Sequence, residues 1–406
     1  TGIRRCGKSY LLDPLYLNYL QLNGVGKSQI IKISFEGDLN LELRNPIELG
    51  KYIRSLITDK KKMYYVFIDE VQKVESIKKP DLEDGENITF IDVLLGIKNI
   101  KNIDLYVTGS NSVMLSSDVL TSFRDRGDEI RVHPLSFKEL YLYYDDDDAW
   151  SQYIKYGGMP EAVLKKTDSE KSKYLKNLFS DTYLKDIIER NKIKNDEDIL
   201  DELLNILSSS IGSFTNPTKL SNTYKTIKKV SIKSSTINKY IEYFVQAFIM
   251  TKALRYNVKG KKYIDTPLKY YFTDVGLRNA RINFRQTEEP HLMENVVYNE
   301  LLIRGFNVDI GVVEYNCKDK NNKNIRKQFE VDFVANKGSK TYYIQVALSI
   351  NTKEKIQQET NSLNRIKNSF KKIVIVKDKP LFEYDDNGIQ YIWLKDFLIN
   401  DDALDQ

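Results

Sequence analysis

The first residues of the chain combine glycines, a lysine and a serine in a spacing that suits phosphate binding. Residues 2–9 read Gly-Ile-Arg-Arg-Cys-Gly-Lys-Ser, which is the P-loop pattern G-x-x-x-x-G-K-S. Its glycines let the backbone curl into a nest whose N–H groups point at phosphate oxygens. In such a loop Lys8 reaches the outer phosphates of a nucleotide and the Ser9 hydroxyl holds Mg²⁺. We expect the binding set to comprise Gly2, Arg4, Arg5, Gly7, Lys8, Ser9, Tyr10 and, from a later strand, Asp69.

Two adjacent carboxylates follow an apolar run further along the chain. Residues 63–68 are Met-Tyr-Tyr-Val-Phe-Ile, and Asp69 and Glu70 come directly after them. A continuous apolar run that closes on acids is typical of a buried parallel strand with its acids at the carboxyl end. This is the Walker B arrangement, in which Asp69 holds Mg²⁺ through water and Glu70 polarises the attacking water. The alternative interpretation is a strand that merely ends at a solvated acidic turn.

Polar and basic side chains after the next strand would complete such a site. Residues 103–108 predict a strand, and Ser110 and Asn111 stand just beyond it, where a side chain can sense the γ-phosphate. An ordinary polar turn is an equal alternative. Either Arg124 or Arg126 is a candidate arginine finger, acting in cis or from a neighbouring subunit. A solvated charged loop explains these arginines equally well.

These side chains need a sheet with helices around it. A helix is expected from Lys8 to about Leu20, because the N-terminus of a helix favours anions. Strands are expected at residues 30–35, 63–70, 103–108 and 129–132. Strands that alternate with helices predict an α/β layer with a parallel sheet. A P-loop normally follows a buried strand, whereas Thr1 stands directly before the loop, so we expect the true N-terminus and its strand to be missing here.

Five motifs along the chain occur in an order typical of one protein family. They are GIRRCGKS at 2–9, YYVFIDEVQ at 64–72, YVTGSNS at 106–112, FRDRGDEIRVHPLSFKEL at 123–140 and YGGMPEAV at 156–163. This order resembles a bacterial and archaeal group of AAA-superfamily ATPases, which carry a winged helix and a C-terminal domain of unknown function related to PD-(D/E)xK nucleases. The resemblance implies ATP and Mg²⁺ as cofactors, and ATP hydrolysis. In that group glycine usually separates the paired arginines; here Asp125 does, and we favour Arg126 as the finger.

Three helices and a basic hairpin are predicted in the middle of the chain. The helices cover 199–211, 217–229 and a stretch capped by Ser235, and the hairpin strands cover 252–256 and 261–264. Residues 211–270 hold twelve basic side chains and two acidic ones, a pattern typical of a polyanion-binding module. We expect a winged helix that binds double-stranded DNA, or alternatively one that makes protein contacts. The predicted DNA contacts are Lys228, Lys229, Lys233, Lys239, Lys261 and Lys262.

The last region is predicted as a helix, three strands, a helix and a strand. By resemblance, this order matches restriction-endonuclease-like folds, which hold Mg²⁺ with a helix acid, a strand Asp and a Glu-x-Lys on the next strand. Glu294 matches the helix acid and Asp332 the strand Asp, with Glu330 on the same strand face. The next strand offers Gln345 instead of an acid, and the lysine is lost apart from Lys340 in a turn. We expect a relative with reduced catalysis and Glu294, Asp332 and Gln345 as its metal ligands; a merely polar strand edge is the alternative.

Composition limits the remaining classes of function. The 406 residues carry a net charge of +5, and no apolar run approaches the ~18 residues needed to span a bilayer. Cys6 and Cys317 stand far apart, which argues against a disulfide framework or zinc site and favours a reducing, cytoplasmic setting. His133 and His291 are the only histidines, so a histidine-based mechanism is disfavoured.

Together these patterns predict an α/β protein of three domains. An AAA-type P-loop ATPase domain is expected at 1–145, a helical lid with a winged helix at 146–285, and a restriction-endonuclease-like α/β domain at 286–406. The leading hypothesis is an ATPase that couples nucleotide state to DNA or partner binding. A nucleotide-switched binding module with little hydrolysis and an ATP-gated, metal-dependent nuclease are the alternatives. Self-association through the arginine finger is expected, and no membrane contact.

Overall fold

The computed structural model describes residues 1–38, 40–78, 87–109, 127–144, 146–194, 196–285, 288–318 and 324–406. These residues form two compact units. The first is Thr1–Val132 with Gln246–Phe248, and the second is His133–Val245 with Ile249–Gln406. Both units combine helices with a β-sheet.

The first unit is organised around three parallel strands. Its strands are β1 (Ile30–Ser34), β2 (Tyr64–Asp69), β3 (Ile77–Lys78), β4 (Asn87–Ile88) and β5 (Ile103–Val107). The main sheet has the order β1-β2-β5, while β3 and β4 form a separate antiparallel pair. Ser34 lies beside Asp69 and Ile68 beside Val107, so the carboxyl ends of all three strands meet at one edge. The predicted parallel sheet is confirmed for these three strands.

One face of this sheet supplies the core of the unit. Ile33, Val66 and Ile68 are fully buried there against two helices, Pro46–Leu56 and Phe90–Lys98. Both helices begin at side-chain caps: the Asn45 carbonyl accepts from the Ile47 N–H at 2.9 Å, and Thr89 forms a capping box with Asp92. The remaining short helical segments of the unit are Lys8–Tyr10, Leu11–Tyr16, Leu17–Leu22, Lys27–Gln29, Glu42–Arg44 and Val71–Lys73.

The helix after the P-loop is interrupted, contrary to the prediction of one helix from Lys8 to about Leu20. An α-helical turn at Lys8–Tyr10 leads into a kinked segment at Leu11–Tyr16, and an α-helix resumes at Leu17–Leu22. The break lies at Asp13, whose φ of −137° and ψ of 107° are extended rather than helical. Pro14 explains it, because proline has no N–H to donate and disfavours helical angles in the preceding residue.

Residues 129–132 do not form the strand that the sequence predicts. Two backbone bonds nevertheless join this segment to Thr1: its amino group donates to the Ile130 carbonyl at 2.8 Å, and its carbonyl accepts from the Val132 N–H at 2.8 Å. Such alternation is typical of parallel pairing. The segment is thus positioned alongside the start of the P-loop, but two bonds are too few for a strand.

The second unit contains most of the helices that the structure describes. The helix predicted from residue 199 is found at Glu197–Ser209, the second begins at Pro217 as predicted, and the third begins at Ser234. The helical segments of this unit are Phe137–Tyr141, Asp146–Tyr156, Pro160–Leu164, Asp168–Leu178, Phe179–Tyr183, Leu184–Asn191, Glu197–Ser209, Pro217–Thr223, Tyr224–Lys228, Ser234–Gln246, Val275–Arg281, Glu289–Ile303, Lys353–Asn364 and Leu394–Ile399.

A seven-stranded mixed sheet forms the rest of this unit. Its strands are β6 (Met250–Asn257), β7 (Lys262–Phe272), β8 (Asn307–Lys318), β9 (Asn324–Lys337), β10 (Lys340–Ala347), β11 (Lys371–Val376) and β12 (Gln390–Trp393). Their order across the sheet is β12-β11-β10-β9-β8-β6-β7. The helix Glu289–Ile303, strands β8 to β10, helix Lys353–Asn364 and β11 follow one another in the order that the sequence predicts.

The basic hairpin is not a separate wing. β6 and β7 pair antiparallel, as predicted, but β6 also pairs in parallel with β8 through Arg255, Tyr256 and Asn257. The hairpin therefore forms one edge of the seven-stranded sheet. Sequence periodicity identifies the strands but cannot show this second pairing, because parallel partners lie far apart in the chain.

No described helix is both long and apolar enough to cross a membrane.

Candidate functional site

Residues with positive φ angles shape the P-loop. Gly2, Arg5 and Gly7 have φ angles of 144°, 70° and 101°. A Cβ atom on Gly2 would lie 2.2 Å from the Val132 carbonyl oxygen, so no side chain fits there. Gly7 ends the loop directly before the helical turn Lys8–Tyr10. The backbone itself therefore requires glycine at the first position of the motif and favours it at the last.

The Lys8 side chain is folded back onto its own loop. Its ammonium group donates to the carbonyl oxygens of Gly2 at 3.1 Å and Ile3 at 3.0 Å, and the residue is 6% exposed. These bonds satisfy a charge that would otherwise be costly to bury. Hydrogen bonds between two ionised groups are stronger than bonds to neutral carbonyls. A phosphate that entered the loop would therefore compete well for this ammonium.

Ser9 and Asp69 are in direct contact. The Ser9 hydroxyl donates to Asp69 Oδ2 at 2.8 Å, and the Thr108 hydroxyl donates to the other oxygen, Asp69 Oδ1. Ser9 follows the loop lysine, while Asp69 ends β2 and Thr108 follows β5. The structure thus brings the P-loop serine and the first Walker B acid together at the carboxyl edge of the sheet.

Glu70 has an unusual backbone and a tethered side chain. Its φ of 56° is left-handed, and its N–H donates to the Thr108 hydroxyl at 3.3 Å. Its carboxylate accepts from the Gln72 side-chain amide. The turn that follows, Val71–Lys73, starts from this left-handed residue. The left-handed backbone and these hydrogen bonds therefore fix the orientation of Glu70, the residue that follows Asp69.

Thr108 and Gln72 are site residues that the sequence analysis missed. The Thr108 hydroxyl forms hydrogen bonds with both Walker B residues, since it donates to the Asp69 carboxylate and accepts from the Glu70 N–H. A polar residue at the end of the strand beside Walker B was the available signal for Thr108. Gln72 offered no signal, because its contact depends on the left-handed turn at Glu70.

The other predicted members of the site stay predictions. Arg4 is half-buried, while Arg5 and Tyr10 are exposed to solvent. Ser110, Asn111 and the favoured finger Arg126 lie outside the described residues. Burial raises the pKa of the Cys6 thiol within the loop, and its sulfur lies 3.4 Å from the Val132 carbonyl oxygen.

The donors and acceptors at this edge fit a nucleotide with Mg²⁺. The hydroxyl of Ser9 and the carboxylate of Asp69 are hard oxygen ligands of the type that Mg²⁺ prefers. Lys8 supplies a positive charge next to them, on a loop whose left-handed turns are typical of anion-binding nests. The residues present therefore match the group that the motif implies.

The lysines predicted to contact DNA lie at the surface of the second unit. All six are exposed: Lys228, Lys229, Lys233, Lys239, Lys261 and Lys262. Lys228 forms an ion pair with Glu202 at 2.7 Å, which reduces its availability for phosphate. Two further cations of the basic segment, Arg255 and Lys269, are buried. The basic surface is therefore smaller than the sequence count indicates.

The predicted metal ligands Glu294 and Asp332 lie in a buried cluster that contains a lysine. Lys269 of β7 donates to Glu294 at 2.9 Å and to Glu330 at 2.6 Å. Tyr271, two residues further along β7, donates a hydrogen bond from its hydroxyl group to Glu294. Asp332 interacts electrostatically with both Glu294 and Lys269. Lys269 thus lies between the two glutamates.

Burial and charge oppose each other in this cluster. Burial disfavours the charged form of Lys269, but Glu294 and Glu330 outweigh it and raise the pKa of the ammonium group. Burial also opposes ionisation of Glu294, yet Lys269 and His291 hold the pKa of this carboxyl below its usual value. For Asp332, burial and the charge on Glu294 together raise the pKa well above its usual value. The cluster therefore favours the ion pairs of Lys269 and disfavours ionisation of Asp332 beside them.

Lys340 does not replace the missing nuclease lysine. It is exposed at the start of β10 and forms an ion pair with Asp405 at 2.7 Å. The lysine that does approach the carboxylates is Lys269, which the sequence counts among the twelve basic residues of 211–270 but which is not one of the six predicted DNA contacts. The available sign of burial was its place in a strand, between the half-buried Leu268 and the buried Tyr270 and Tyr271.

A metal ion at Glu294, Asp332 and Gln345 stays a prediction. Gln345 of β10 is half-buried and accepts from the Ser362 hydroxyl at 3.4 Å. Asp332 accepts from the Val346 N–H at 2.8 Å. Within the described parts of the chain, no group of three or more His, Cys, Asp or Glu side chains is arranged to hold a metal ion.

The motif Pro-Leu-Ser-Phe-Lys-Glu at 134–139 has a structural role. The Ser136 hydroxyl accepts from the Glu139 N–H at 3.3 Å, and the Glu139 carboxylate accepts from the Ser136 N–H at 2.7 Å. This reciprocal capping box starts the helix Phe137–Tyr141. Leu135 in turn pairs its N–H with the Gly158 carbonyl at 2.8 Å, which links this motif to Tyr-Gly-Gly-Met-Pro at 156–160.

The glycines of the second motif make room for a buried carboxylate. A Cβ atom on Gly157 would lie 2.2 Å from the Asp274 carboxylate, and one on Gly158 would lie 1.9 Å from the Leu135 carbonyl oxygen. Asp274 accepts from the Gly158 N–H at 2.6 Å and the Leu277 N–H at 2.8 Å, and so caps the helix Val275–Arg281. Burial raises the pKa of Asp274 to about 6, although these N–H groups oppose the shift. Both motifs therefore hold the second unit together.

Three family descriptions match successive parts of the chain. Residues 1–141 match an AAA domain. Residues 147–288 match a domain of unknown function, DUF8612, and residues 290–397 match another, DUF4143.

Comparison with whole proteins extends this result. An uncharacterized protein of Haemophilus influenzae is 32% identical over 98% of this chain and 93% of its own length. The uncharacterized protein MJ1544 of Methanocaldococcus jannaschii is 29% identical over 97% of this chain and 83% of its own length. Among solved structures, the Walker-type ATPase PABY2304 of Pyrococcus abyssi covers 69% of this chain and 89% of its own, with 15% identity and a TM-score of 0.45. That likeness is too distant to carry a functional inference. The similarity over nearly the full length shows that this chain belongs to the same family as the Haemophilus influenzae protein, with an AAA domain at its N-terminal end.

Proposed function

We propose that this protein binds ATP with Mg²⁺ at its P-loop and hydrolyses it. The observation that carries the proposal is the direct contact between Ser9 and Asp69 at 2.8 Å, one residue from Lys8. The P-loop residues Lys8 and Ser9 and the distant Asp69 thus meet at one edge of the parallel sheet. The match of residues 1–141 to an AAA domain supports the same function.

Each residue of this edge has a distinct part in the proposed reaction. Lys8 leaves the carbonyl groups of Gly2 and Ile3 and neutralises charge on the phosphates. Ser9 and Asp69 would hold Mg²⁺, which supplies positive charge for the phosphoryl oxygens when bound. Glu70 orients and deprotonates the attacking water, as a general base does.

Two substitutions test this proposal in the full chain. Lys8→Ala should abolish binding of a fluorescent ATP analogue, because it removes the charge that faces the phosphates. Glu70→Gln should keep that binding and lower the rate of phosphate release by about 100-fold or more, the usual worth of a general base. Glu75→Gln is the matched control, since Glu75 is an exposed acid just beyond the turn.

The results separate binding from hydrolysis. Wild-type ATP affinity in Lys8→Ala would exclude the P-loop as the nucleotide site. An unchanged hydrolysis rate in Glu70→Gln would exclude Glu70 as the base while leaving the binding proposal intact.

A nucleotide switch with little hydrolysis is the second candidate function. The contact that favours it is the bond from the Gln72 amide to the Glu70 carboxylate, which occupies the group that must accept a proton. If this bond persists with ATP bound, turnover is slow and nucleotide acts mainly as a signal. Gln72→Ala distinguishes the two, because it should raise the hydrolysis rate only if the bond restrains Glu70.

DNA is the proposed partner of the second unit. Lys229, Lys233 and Lys239 are exposed on or just before the helix Ser234–Gln246 and its preceding turn, where phosphates of a duplex could be contacted. Coupling between nucleotide state and DNA binding is part of the same proposal. An ATP-gated nuclease remains the less favoured alternative, and the structure of its carboxylate cluster bears on it directly.

A further inference from the structure

The carboxylate cluster around Lys269 plays no part in the proposed nucleotide site. Glu294, Glu330 and Asp332 come from the helix Glu289–Ile303 and from β9. Lys269 comes from β7, which lies at the edge of the same sheet. The lysine residue is 3% exposed, so its charge is neutralised by these protein groups rather than by water.

Lys269 occupies the space between the oxygens that a metal ion would need. Its Nζ atom lies 2.9 Å from Glu294 Oε1 and 2.6 Å from Glu330 Oε1. A divalent cation bridging the same two oxygens would stand within a few ångströms of the ammonium. Like charges at that separation repel strongly away from water. Metal and lysine therefore exclude each other here.

A second cation adds to this effect. The Arg255 side chain is also buried, and it interacts electrostatically with Glu330. Its guanidinium lies 4.7 Å from the centre of the Phe214 ring, and Lys269 Nζ lies 5.5 Å from the same ring. Lys269 thus faces Glu294 and Glu330, and Arg255 interacts with Glu330, so positive side chains of the protein balance the charge of these carboxylates.

The segment before helix Pro217–Thr223 covers the cluster. Thr215 pairs with Leu268 of β7 through backbone bonds of 2.7 and 3.2 Å. Gly212 approaches so closely that a Cβ atom there would lie 2.6 Å from His291 Nδ1 and 3.4 Å from Glu294 Oε2. Lys269, Glu294 and Asp332 are therefore packed under protein, whereas the Glu330 side chain is 31% exposed.

We propose that the Lys269 ammonium takes the place of a divalent cation, so that the cluster binds neither Mg²⁺ nor Mn²⁺ unless Lys269 is removed. The native cluster is then a metal-independent structural element of the second unit. Its carboxylates form a latent metal site that Lys269 keeps filled. This inference does not depend on ATP binding at the P-loop.

Mn²⁺ binding to the full chain without nucleotide tests the proposal. Electron paramagnetic resonance should show that wild type and Asp332→Asn bind the same amount of Mn²⁺. The melting temperature of wild type should be the same in Mn²⁺ as in NaCl of matched ionic strength. Lys269→Met should melt several degrees lower, gain one Mn²⁺ site and recover part of the loss in Mn²⁺. Adding Asp332→Asn to Lys269→Met should remove that recovery.

Two controls keep the outcome decisive. Lys340→Met makes the same charge change at an exposed ion pair with Asp405 and should gain no Mn²⁺ site. If Lys269→Met does not fold, Lys269→Arg keeps the positive charge and should remain without Mn²⁺. A Mn²⁺ site in wild type that Asp332→Asn abolishes would overturn the proposal. So would a folded Lys269→Met protein that binds no additional Mn²⁺.

Discussion

At the scale of single residues, Thr108 connects the two acids of the candidate nucleotide site. Its buried hydroxyl donates to Asp69 and accepts from the Glu70 N–H. Asp69 is thereby held by Thr108 on one oxygen and by Ser9 on the other. Since the position of a metal ligand depends on the groups that hydrogen-bond to it, Thr108 positions the acid rather than reacting itself.

Replacing Thr108 tests this role. Thr108→Val keeps the shape but leaves an Asp69 oxygen and the Glu70 N–H without their partner, which should lower the free energy of unfolding by about 1–3 kcal/mol. It should also weaken Mg²⁺-dependent ATP binding. Thr108→Ser keeps the hydroxyl and should lose only about 1 kcal/mol for the methyl group. Urea unfolding and ATP titration of both variants check this; equal losses would show that the methyl group matters, not the hydroxyl.

Asp274 makes stability depend on pH. Burial raises its pKa to about 6 in the folded protein, above the ordinary value of 3.8. The folded state therefore binds this proton more tightly than the unfolded chain does. Its contribution is fully present below about pH 4 and is lost as pH rises through about 6, a change on the order of 3 kcal/mol.

The measurement compares wild type with Asp274→Asn, which cannot ionise. The free energy of unfolding of wild type should fall relative to the variant between pH 4 and pH 7. The variant should also be less stable overall, because its amide NH₂ faces the N–H groups of Gly158 or Leu277. A wild type that gains relative stability with rising pH would mean that those N–H groups outweigh burial.

Residue identity was enough to predict which motif residues of the candidate nucleotide site meet, but not to predict the partners of the buried lysine in the second unit. The P-loop spacing and the acids at the end of the apolar run 63–68 predict that Ser9 and Asp69 lie together, and the Ser9–Asp69 contact agrees with this. The burial of Lys269 could not be inferred from its charge, because the carboxylates that surround it come from a helix and a single strand, β9, that follow later in the sequence. Long-range pairing decides whether a lysine faces phosphate or protein.

At the scale of elements, glycines at 157, 158 and 276 allow three backbone segments to cross closely. A Cβ atom on Gly276 would lie 1.9 Å from the Tyr156 carbonyl oxygen, and one on Gly158 would lie 1.9 Å from that of Leu135. Backbone atoms cannot move aside as flexible side chains can. The crossing therefore fixes helix Val275–Arg281 against the loop that precedes helix Pro160–Leu164.

Gly158→Ala should destabilise the second unit strongly. The added methyl group meets the Leu135 oxygen, so we expect a loss of about 3 kcal/mol or more in the free energy of unfolding. Gly127→Ala is the matched control, because a Cβ atom there has no neighbour within 4 Å. Thermal unfolding with circular dichroism measures both. Equal melting temperatures for Gly158→Ala and wild type would show that the crossing relaxes at little cost.

Helices and strands could be predicted where a single sequence signal acts, but not where two sequence signals conflict. Apolar runs predict β1, β2 and β5 correctly, and the cap at Asn216 and Pro217 marks a helix start. The helix after the P-loop was predicted too long, because Pro14 overrides the anion-binding start of that helix. Capping boxes such as that of Ser136 and Glu139 were visible in the sequence as motifs, although their structural role was not.

At the scale of the whole molecule, charge is distributed unevenly. Exposed lysines of the second unit lie close together in sequence at residues 219–239. Acidic side chains pair with some of the basic residues in and near this stretch: Lys228 with Glu202, Lys252 with Glu242, and Lys269 with Glu294 and Glu330. Counting cations along the chain thus overestimates the charge available to a polyanion. What remains exposed still suits phosphate contacts without base recognition.

The lysines at 229, 233 and 239 provide the test. Replacing all three with Glu should weaken binding to double-stranded DNA of any sequence and reduce the salt dependence of binding, by about 0.9 in the log–log slope for each lost phosphate contact. Lys60, Lys61 and Lys98, all exposed in the first unit, provide a control with the same charge change. Fluorescence anisotropy over a range of NaCl measures both. Identical slopes for the two triple variants would favour protein contact for this surface.

The pairing of β6 with β8 sets a limit on how the chain can be divided for experiments. A fragment that begins at residue 290, where the DUF4143 match starts, contains β8 to β12 but lacks the hairpin. Its β8 would expose unpaired N–H and C=O groups along residues 310–312, a template for aggregation. The same cut would deprive Glu294 and Glu330 of the ammonium that neutralises them. Fragments for expression should therefore start upstream of Met250, so that they include β6 and β7, the strands that complete this edge of the sheet.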